Sequence, residues 1–178
     1  MTSDEELLSA LRAGDLAAFD VLYGRYERRL FGYIQRMLGD EERAKDLLQD
    51  VVFTVVTDET FDPERGRFGA WLFTVARNRC RQLTRQVEQR GAKEHLLDTT
   101  PKPAIDVEAT LDRTRNVRTA MAALTEPQRQ LLLLKQVGEM TYREIGAALG
   151  VAEGTIKSRL HDATRALRRQ LVALGETQ

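Results

Sequence analysis

Near the end of the chain, one face of a predicted helix carries polar and basic side chains of the kind that contact DNA. Apolar residues recur in this helix at steps of four, three, four and four, which makes one buried stripe: Ile156, Leu160, Ala163, Leu167 and Leu171. The opposite face carries Gly154, Lys157, Ser158, His161, Arg165 and Arg168. Lysine and serine can hydrogen-bond to base edges, and arginine can neutralise phosphates.

The residues before this helix complete a helix-turn-helix pattern. Thr141 and Glu144 are spaced as a capping box, and Gly150 is placed to end the first helix in a left-handed turn. A short helix, a glycine turn and a second helix with a polar outer face are typical of a motif whose second helix enters the major groove. Taken alone, the segment leaves open an ordinary helical hairpin with a solvated basic face.

A second basic face is predicted on a helix in the first half of the chain. Its buried stripe consists of Phe68, Trp71, Leu72, Val75, Ala76, Cys80, Leu83 and Val87. Its outer face carries Arg77, Asn78, Arg81, Gln82 and Arg85. Arginines beside aromatic rings suit single-stranded nucleic acid, because an unstacked base can lie on a ring while its phosphates meet arginine. We expect Phe68 and Trp71 to be core residues, whereas for Phe61 core packing and base stacking both stay open.

A third polar face, on the helix predicted around residues 44–56, is acidic. Its outward residues are Asp46, Gln49 and Asp50, with Lys45 beside them. Two carboxylates one turn apart could share a metal in a nuclease, but such a site needs ligands from other elements. The histidines, His95 and His161, lie in a predicted linker and on the DNA-facing helix, and no nucleophile–base pair or phosphate loop is visible. We therefore expect no enzyme activity, cofactor, metal or small-molecule substrate.

Composition and charge restrict the partners. The 178 residues include 27 basic and 27 acidic side chains, so no overall field draws the chain to nucleic acid. Residues 77–90 nevertheless carry five arginines against one glutamate, and residues 153–170 carry five basic residues against two acids. Cys80 is the one cysteine, which excludes a disulfide within the chain, and neither a signal peptide nor a membrane span is visible. We expect a cytoplasmic protein that binds free DNA weakly.

The elements that position these faces all read as helices. Leu7, Leu8 and Leu11 mark a short opening helix, and Asp15 caps a longer one. Further helices are expected to begin at Asp106 and near Thr125. Prolines and fading periodicity mark a linker. We predict an all-α fold of two small helical bundles, at residues 1–90 and 106–178, joined by a flexible linker at 91–105, with the helix-turn-helix in the second bundle.

Separated segments, in one order along the chain, match the pattern of a known family. They are AKDLLQDVVFTVV (44–56), FDPERGRFGAWLFTVARNR (61–79) and LTEPQRQLLLLKQVGEMTYREIGAALGVAEGTIKSRL (124–160). Together they resemble the extracytoplasmic-function (ECF) sigma factors, the smallest branch of the bacterial proteins that direct RNA polymerase to promoters. The resemblance covers residues 15–171, and it implies core RNA polymerase and promoter DNA as partners.

The resemblance assigns roles to the first two polar faces. It implies that Asp46, Gln49 and Asp50 bind the clamp helices of core RNA polymerase. It also implies that the segment from Phe61 to Arg85 opens the −10 promoter element and reads it as single-stranded DNA. In this interpretation Phe61 and Asn78 line a pocket for a flipped base. Backbone phosphates, which position the strand without specifying it, are then held by Arg77, Arg81 and Arg85.

For the helix-turn-helix, the resemblance implies recognition of the −35 element as duplex DNA. Bases are contacted by Lys157, Ser158 and His161, and phosphates by Arg159 and Arg165. The acidic linker is implied to thread toward the active centre of the polymerase. An anti-sigma factor, often membrane-bound in this family, is a further implied partner, and we expect regulation to come from such a separate protein.

Two features depart from the family pattern. Asp162 stands where a basic residue is usual, which predicts weaker binding to the −35 element. The aromatic residue often found near the end of the polymerase-binding helix is replaced by Thr54, Val55 or Val56, so the packing of that edge stays open.

The competing interpretation is a stand-alone transcription regulator of the LuxR type. Residues 124–145 also resemble the DNA-binding output domain of those proteins. Such a regulator needs a sensor half, however, and residues 15–90 show neither a ligand-binding fold nor the alternating strands and helices of a phosphoacceptor domain. The sequence therefore favours the sigma factor over the LuxR-type regulator.

Overall fold

In the computed structural model, which describes residues 2–58, 60–93 and 111–175, every regular element is an α-helix. In chain order the helices are α1 (Asp4–Arg12), α2 (Leu16–Leu38), α3 (Glu41–Thr57), α4 (Phe68–Lys93), α5 (Leu111–Ala122), α6 (Glu126–Gln136), α7 (Tyr142–Leu149) and α8 (Glu153–Ala173). They divide into two compact units, α1–α4 and α5–α8. The predicted all-α fold of two helical bundles is confirmed.

Helix α4 runs further than the composition suggests. It ends at Lys93, so residues 91–93, which lie in the predicted linker, are helical. A single glycine inside a helix costs only about 1 kcal/mol relative to alanine, so Gly91 alone does not end it. The rest of the predicted linker and the predicted helix start at Asp106 lie outside the described residues.

Side chains at the helix ends of the first unit set where its helices begin. Ser3 and Glu6 form a capping box at α1, in which the backbone N–H of Ser3 donates to the Glu6 carboxylate at 2.7 Å. Asp15 accepts from the backbone N–H of Ala17 at 3.0 Å and caps α2, as predicted. Gly39 ends α2 with a φ of 70°, a left-handed conformation that favours glycine. Each cap satisfies backbone groups that a helix end leaves unpaired.

Helix α2 is the centre of the first unit and contacts α1, α3 and α4. Its fully buried side chains include Leu30, Tyr33 and Ile34. The rings of Tyr33 and Phe73, on α2 and α4, meet edge to face with centroids 5.6 Å apart. Burying each such large apolar side chain contributes roughly 1.5–3 kcal/mol. This packing fixes the rotation of α4 about its axis.

Helix α8 has the same position in the second unit, where it contacts α5, α6 and α7. Leu131 to Leu134, four consecutive residues of α6, are all buried. Because successive residues of a helix point in different directions, α6 is enclosed over much of its circumference. Met140, Ile145 and Ile156 are each 0% exposed and complete the core between α6, α7 and α8.

Val87, which the sequence places in the buried stripe of α4, is exposed. Its exposed fraction is 41%, and all residues from Arg85 to Gln89 are exposed. This part of α4 therefore lies away from the core of the first unit. Sequence periodicity placed Val87 on the wrong face.

The turn between α7 and α8 depends on close approach at Gly146. A Cβ atom there would lie 2.6 Å from the carbonyl oxygen of Val151, a backbone atom. The carbonyl oxygen of Gly146 in turn accepts from the backbone N–H of Val151 at 2.9 Å. Gly150, between them, has a φ of 66° and ends α7. The turn therefore needs glycine at both positions, for space at one and for a left-handed backbone at the other.

We predict that Gly146→Ala lowers the free energy of unfolding by about 1–3 kcal/mol, the usual cost of overpacking. The matched control is Gly154→Ala in α8, where an added Cβ meets nothing within 4 Å. That control should leave stability unchanged or raise it by up to about 1 kcal/mol. Urea unfolding of the full chain, followed by circular dichroism, measures both. Equal stability of the two variants would contradict the prediction, because it would show that the turn accommodates an added methyl group.

Candidate functional site

The helix-turn-helix of the second unit has the local geometry predicted from its sequence. The backbone N–H of Glu144 donates to the Thr141 hydroxyl at 3.2 Å, and the backbone N–H of Thr141 donates to the Glu144 carboxylate at 2.7 Å. The buried stripe of α8 is confirmed at Ile156, Leu160 and Ala163. Thus α7 has a defined start, and the rotation of α8 beneath it is fixed.

The five residues predicted to contact the −35 element are exposed on α8: Lys157, Ser158, Arg159, His161 and Arg165. Lys157 and His161 are four residues apart, so they lie one turn apart on one face, with Arg165 one turn further. Arg159 points about 200° around the axis from Lys157. One helix therefore presents a line of side chains that suits a groove, and an arginine on another face that suits the flanking backbone.

The candidate single-strand surface lies on α4. Asn78 and Arg85 are exposed and Arg81 is half-buried. These three line one shallow polar groove together with Gln82, Gln86 and Gln89. Amide and guanidinium groups in such a groove can hydrogen-bond to base edges and pair with phosphates. The glutamines at the far end extend the groove beyond the residues identified from sequence.

The prediction that Arg77 faces outward is wrong. Its side chain is only 8% exposed, because it follows the fully buried Phe73 by four residues and falls on the core side of α4. Its guanidinium Nη1 donates to the side-chain oxygen of Asn78 at 3.0 Å. Arg77 therefore orients the neighbouring amide instead of standing on the exposed face.

The sequence left both core packing and base stacking open for Phe61, and in the structure its ring is packed in the core. Its ring is 6% exposed and packs against Phe68 and Trp71, with centroids 5.7 and 5.4 Å away. Phe68 is 1% exposed, as expected for a core residue, whereas Trp71 is half-buried. The Phe61 ring is thus a support for the start of α4, and it offers no open face to a base in this conformation.

The loop between α3 and α4, which we call the strand loop and define as Asp58 and residues 60–67, contains several short-range hydrogen bonds. The Asp58 carboxylate accepts from the backbone N–H of Thr60 at 2.6 Å. Hydrogen bonds from Thr60, through its side chain and then its backbone, hold the pKa of Asp58 below its usual value. Asp62 accepts from the backbone N–H of Glu64 at 3.0 Å and pairs with Arg65 at 3.2 Å.

The acidic face of α3 is exposed as predicted. Asp46, Gln49 and Asp50 all lie on the surface, over a buried stripe that includes Leu47 and Val51. Lys45 is tied toward the start of the helix, with its ammonium 3.0 Å from the carboxylates of Glu41 and Glu42. Hydrogen bonds to those glutamates raise the pKa of Lys45. The face therefore presents two exposed carboxylates and an amide, which can pair with basic groups.

An apolar groove beside this acidic face was not found from the sequence. Phe53 is 69% exposed and Val56 49% exposed, and they line the groove with Tyr23, Leu48, Gln49 and Val52. Phe53 follows Asp50 by three residues, so it continues the same outer face. An aromatic residue at an outward position of a helix was the signal available in the sequence.

Other kinds of site find no support in the described residues. No group of three or more histidine, cysteine, aspartate or glutamate side chains in them could hold a metal ion. Cys80 is a buried thiol, as predicted. No helix in the described part of the chain is long and apolar enough to cross a membrane.

Comparison with known proteins matches both units to one family. A model of sigma-70 region 2 matches residues 22–90, which contain α3 and most of α2 and α4. A model of sigma-70 region 4 matches residues 114–167, which contain α6, α7 and most of α5 and α8. Because the first half matches region 2, the LuxR-type regulator is not favoured.

Individual relatives extend the match over 94–96% of the chain. The ECF RNA polymerase sigma factor SigK of Mycobacterium tuberculosis is 34% identical over 180 residues, covering 94% of each chain. SigL of the same species is 34% identical over 185 residues, covering 96% of this chain and 98% of SigL.

Two solved structures share the fold at 24% sequence identity. CnrH, in complex with the cytosolic domain of CnrY, has a TM-score of 0.71 and the match covers 96% of this chain and 97% of CnrH. The sigma factor RpoE of Bartonella quintana, in complex with the anti-sigma factor NepR, has a TM-score of 0.66, with 86% and 96% covered. From the two family models and these relatives, the chain belongs to the ECF sigma factors of bacterial RNA polymerase.

Proposed function

We propose that the three surfaces divide the work of promoter recognition among them. The acidic face of α3 binds core RNA polymerase, α4 and the strand loop hold the −10 element as a melted single strand, and α8 reads the −35 element as duplex. The observation that carries the proposal is that each surface is exposed over a buried stripe in the unit that matches the corresponding sigma region. The chain itself performs no catalytic step in this account and needs no cofactor.

For the −35 element, the α8 residues differ in role according to their face and their position along the helix. Lys157, Ser158 and His161 meet base edges, because they lie on the outer face of the first half of the helix, which enters the groove first. Arg159, on another face, and Arg165, further along the helix, meet phosphates, which hold the helix without reading sequence. Asp162 is also exposed, and its negative charge weakens the approach to the backbone.

For the −10 element, the burial of Arg77 and Phe61 changes the roles that the family resemblance implies. Asn78 contacts the flipped base, and the amide is held in place by the hydrogen bond from Arg77. Arg81 and Arg85 hold phosphates along the groove. Phe61 keeps the strand loop packed against Phe68, so it acts on the base through the loop.

For core polymerase, Asp46, Gln49 and Asp50 meet basic residues of the clamp helices. Support comes from their exposure on one face of α3 and from the low positive charge of that face, where Lys45 is engaged by its own neighbours. Opposite charges across an interface increase the rate of encounter and fix its register. The polymerase brings the chain to DNA, which it binds weakly by itself because its net charge is zero.

We also propose that an anti-sigma protein controls this chain in the cytoplasm. Support comes from the two solved structures of similar fold, which hold CnrH with the cytosolic domain of CnrY and RpoE with the anti-sigma factor NepR. A controlling partner has to cover at least one of the three surfaces to block initiation. The exposed acidic and basic faces offer such a partner charges of both signs.

The first prediction tests the polymerase surface and with it the proposed function. The double variant Asp46→Lys, Asp50→Lys should lose binding to core RNA polymerase in co-purification, because like charges then face each other. Stability should change by less than about 0.5 kcal/mol per exposed site. The control, Glu126→Lys with Asp162→Lys, makes the same change in net charge at exposed positions of the other unit. Unchanged polymerase binding by the folded α3 double variant would contradict the proposal.

The second prediction concerns Asn78. Asn78→Ala should reduce promoter opening about tenfold, the effect of losing a base contact worth roughly 1–3 kcal/mol, while closed-complex formation is little changed. Permanganate reactivity of melted thymines measures opening, and a gel shift in the cold measures the closed complex. Gln136→Ala, which removes an exposed amide from α6, is the control. Equal opening by the wild type and Asn78→Ala would exclude the base contact.

The third prediction separates base from phosphate contacts on α8. Lys157→Ala should change which −35 sequences the holoenzyme prefers, by roughly 1–3 kcal/mol at the contacted base. Arg165→Ala should weaken all promoters alike and reduce the salt dependence by about one phosphate contact. A library of −35 variants, transcribed at two salt concentrations, measures both effects. If Arg165→Ala reorders the library and Lys157→Ala does not, the assigned register of α8 is wrong.

A further inference from the structure

We propose that α1 is a brace that fixes both ends of the strand loop, and so holds the loop in the conformation that receives the −10 strand. This inference rests on the proposed function of the loop and α4. Helix α1 lies at residues 4–12, before the sigma-70 region 2 match, which begins at residue 22. The role comes from contacts that α1 makes within the first unit.

Helix α1 contacts the strand loop where the loop begins and where α4 follows it. At the beginning, the Arg12 guanidinium Nη2 donates to the backbone carbonyl oxygen of Asp58 at 3.0 Å. At the end, the backbone N–H of Phe68 donates to the Glu5 carboxylate at 3.3 Å. The first N–H groups of a helix lack partners within it, so Glu5 caps α4 from another helix. A carboxylate is also favoured there by the helix dipole.

A second set of contacts ties α1 to the packing beneath the loop. The Tyr26 hydroxyl donates to the Asp4 carboxylate, which also pairs with Arg25 at 2.5 Å. The Tyr26 ring meets the Phe68 ring edge to face, with centroids 5.5 Å apart. Burial, followed by the hydrogen bond to Asp4, raises the pKa of Tyr26 well above its usual value. The tyrosine therefore stays protonated and keeps donating.

The space around Tyr26 shows how closely α2 approaches the start of α4. A Cβ atom added at Gly69 would lie 2.8 Å from the Tyr26 hydroxyl oxygen. The Tyr26 hydroxyl is thus confined by its hydrogen bond to Asp4 and by its close approach to Gly69. Because Phe68 also touches Phe61, a residue of the strand loop, the position of Asp4 is transmitted to the loop through three packed rings.

Helix α1 is itself firmly held, which a brace requires. Leu7, Leu8 and Leu11 are buried against the unit, and the capping box of Ser3 and Glu6 fixes its first turn. A nine-residue helix is marginal alone in water, so α1 forms because these leucines pack. The residues that contact the loop, Glu5 and Arg12, lie outside this buried set and can be changed without removing it.

A loop that is already held in one conformation binds a strand more tightly, because it loses less conformational entropy on binding. Apparent affinity falls in proportion to the fraction of molecules in the competent conformation. If removing the brace leaves one molecule in ten competent, single-strand affinity falls about tenfold. The acidic face of α3 is made by residues 46–50, which none of these contacts involves, so polymerase binding should be unaffected.

The test uses the full chain with Glu5→Ala and Arg12→Ala combined. Hydrogen exchange of the free protein reports the Phe68 amide and the amides of residues 60–67 other than Pro63. The assembled holoenzyme is then titrated with a single-stranded −10 oligonucleotide from a promoter that the wild type transcribes, and with a scrambled oligonucleotide. We expect faster exchange, about tenfold weaker binding of the −10 strand, and core polymerase affinity within about twofold of the wild type.

Two further variants separate positioning from general stability. Glu5→Gln keeps a side-chain oxygen that can accept from the Phe68 amide. Exchange of that amide should therefore be slower, and binding of the −10 strand tighter, in Glu5→Gln than in Glu5→Ala. Ser9→Ala, at an exposed position of α1, is the matched control and should change neither. Thermal unfolding of each variant shows whether the unit stays folded. A merely structural role would reduce stability and polymerase binding together.

The outcomes distinguish this inference from the proposed function. If hydrogen exchange of the loop is unchanged in the double variant, the brace inference is overturned, whatever the affinity for the −10 strand. Faster exchange with unchanged strand affinity also overturns it, because the loop then receives the strand without the brace. If the wild-type holoenzyme itself binds the −10 strand no better than the scrambled one, the proposed role of α4 and the strand loop fails, and the brace inference fails with it.

Discussion

The buried stripe of each functional helix decides which of its polar side chains can reach a partner. In α8, Ile156 and Ala163 are 0% exposed, so the helix cannot rotate without exposing core, and Lys157 and His161 are held on the outer face. The same constraint on α4 has a second effect. Phe73, also 0% exposed, turns Arg77 inward, four residues later, and leaves the amide beside it outward. Apolar packing therefore determines which polar groups both proposed DNA-binding surfaces expose.

Charge is arranged by surface and not by the chain as a whole. Acidic side chains are exposed on α3, whereas basic ones are exposed on α4 and α8, and the total is zero. Electrostatic attraction to DNA depends on the number of phosphates neutralised, so we expect each basic surface alone to bind weakly. Joining both surfaces to one polymerase makes the second contact intramolecular, which raises its effective concentration. Weak single surfaces thus favour binding of promoter DNA by the holoenzyme over binding of any DNA by the free chain.

The fold and the helix-turn-helix were predictable because their determinants are local. Thr141 and Gly150 act within a few residues of themselves, and a helical stripe shows in the order of residues alone. The burial of Arg77 and Phe61 was not predictable, because it depends on which neighbouring helix covers each position. Phe53 shows the reverse case, since an aromatic residue that periodicity puts on an outer face stays exposed. Periodicity thus predicts the existence of a stripe better than its edges, and several of the candidate site residues lie at those edges.

The two proposed DNA-binding surfaces consequently differ in what holds them in place. The α8 residues stand on one continuous helix, so their relative positions follow from helical geometry. The strand loop instead depends on groups distant in sequence, because Glu5 caps the start of α4 and Arg12 holds the carbonyl of Asp58. A loop closed by contacts between distant residues loses its shape in local openings that a packed helix resists. With the proposed assignment of the surfaces, single-strand capture is therefore the step that depends most on the integrity of the first unit, and duplex recognition the step that depends least on it.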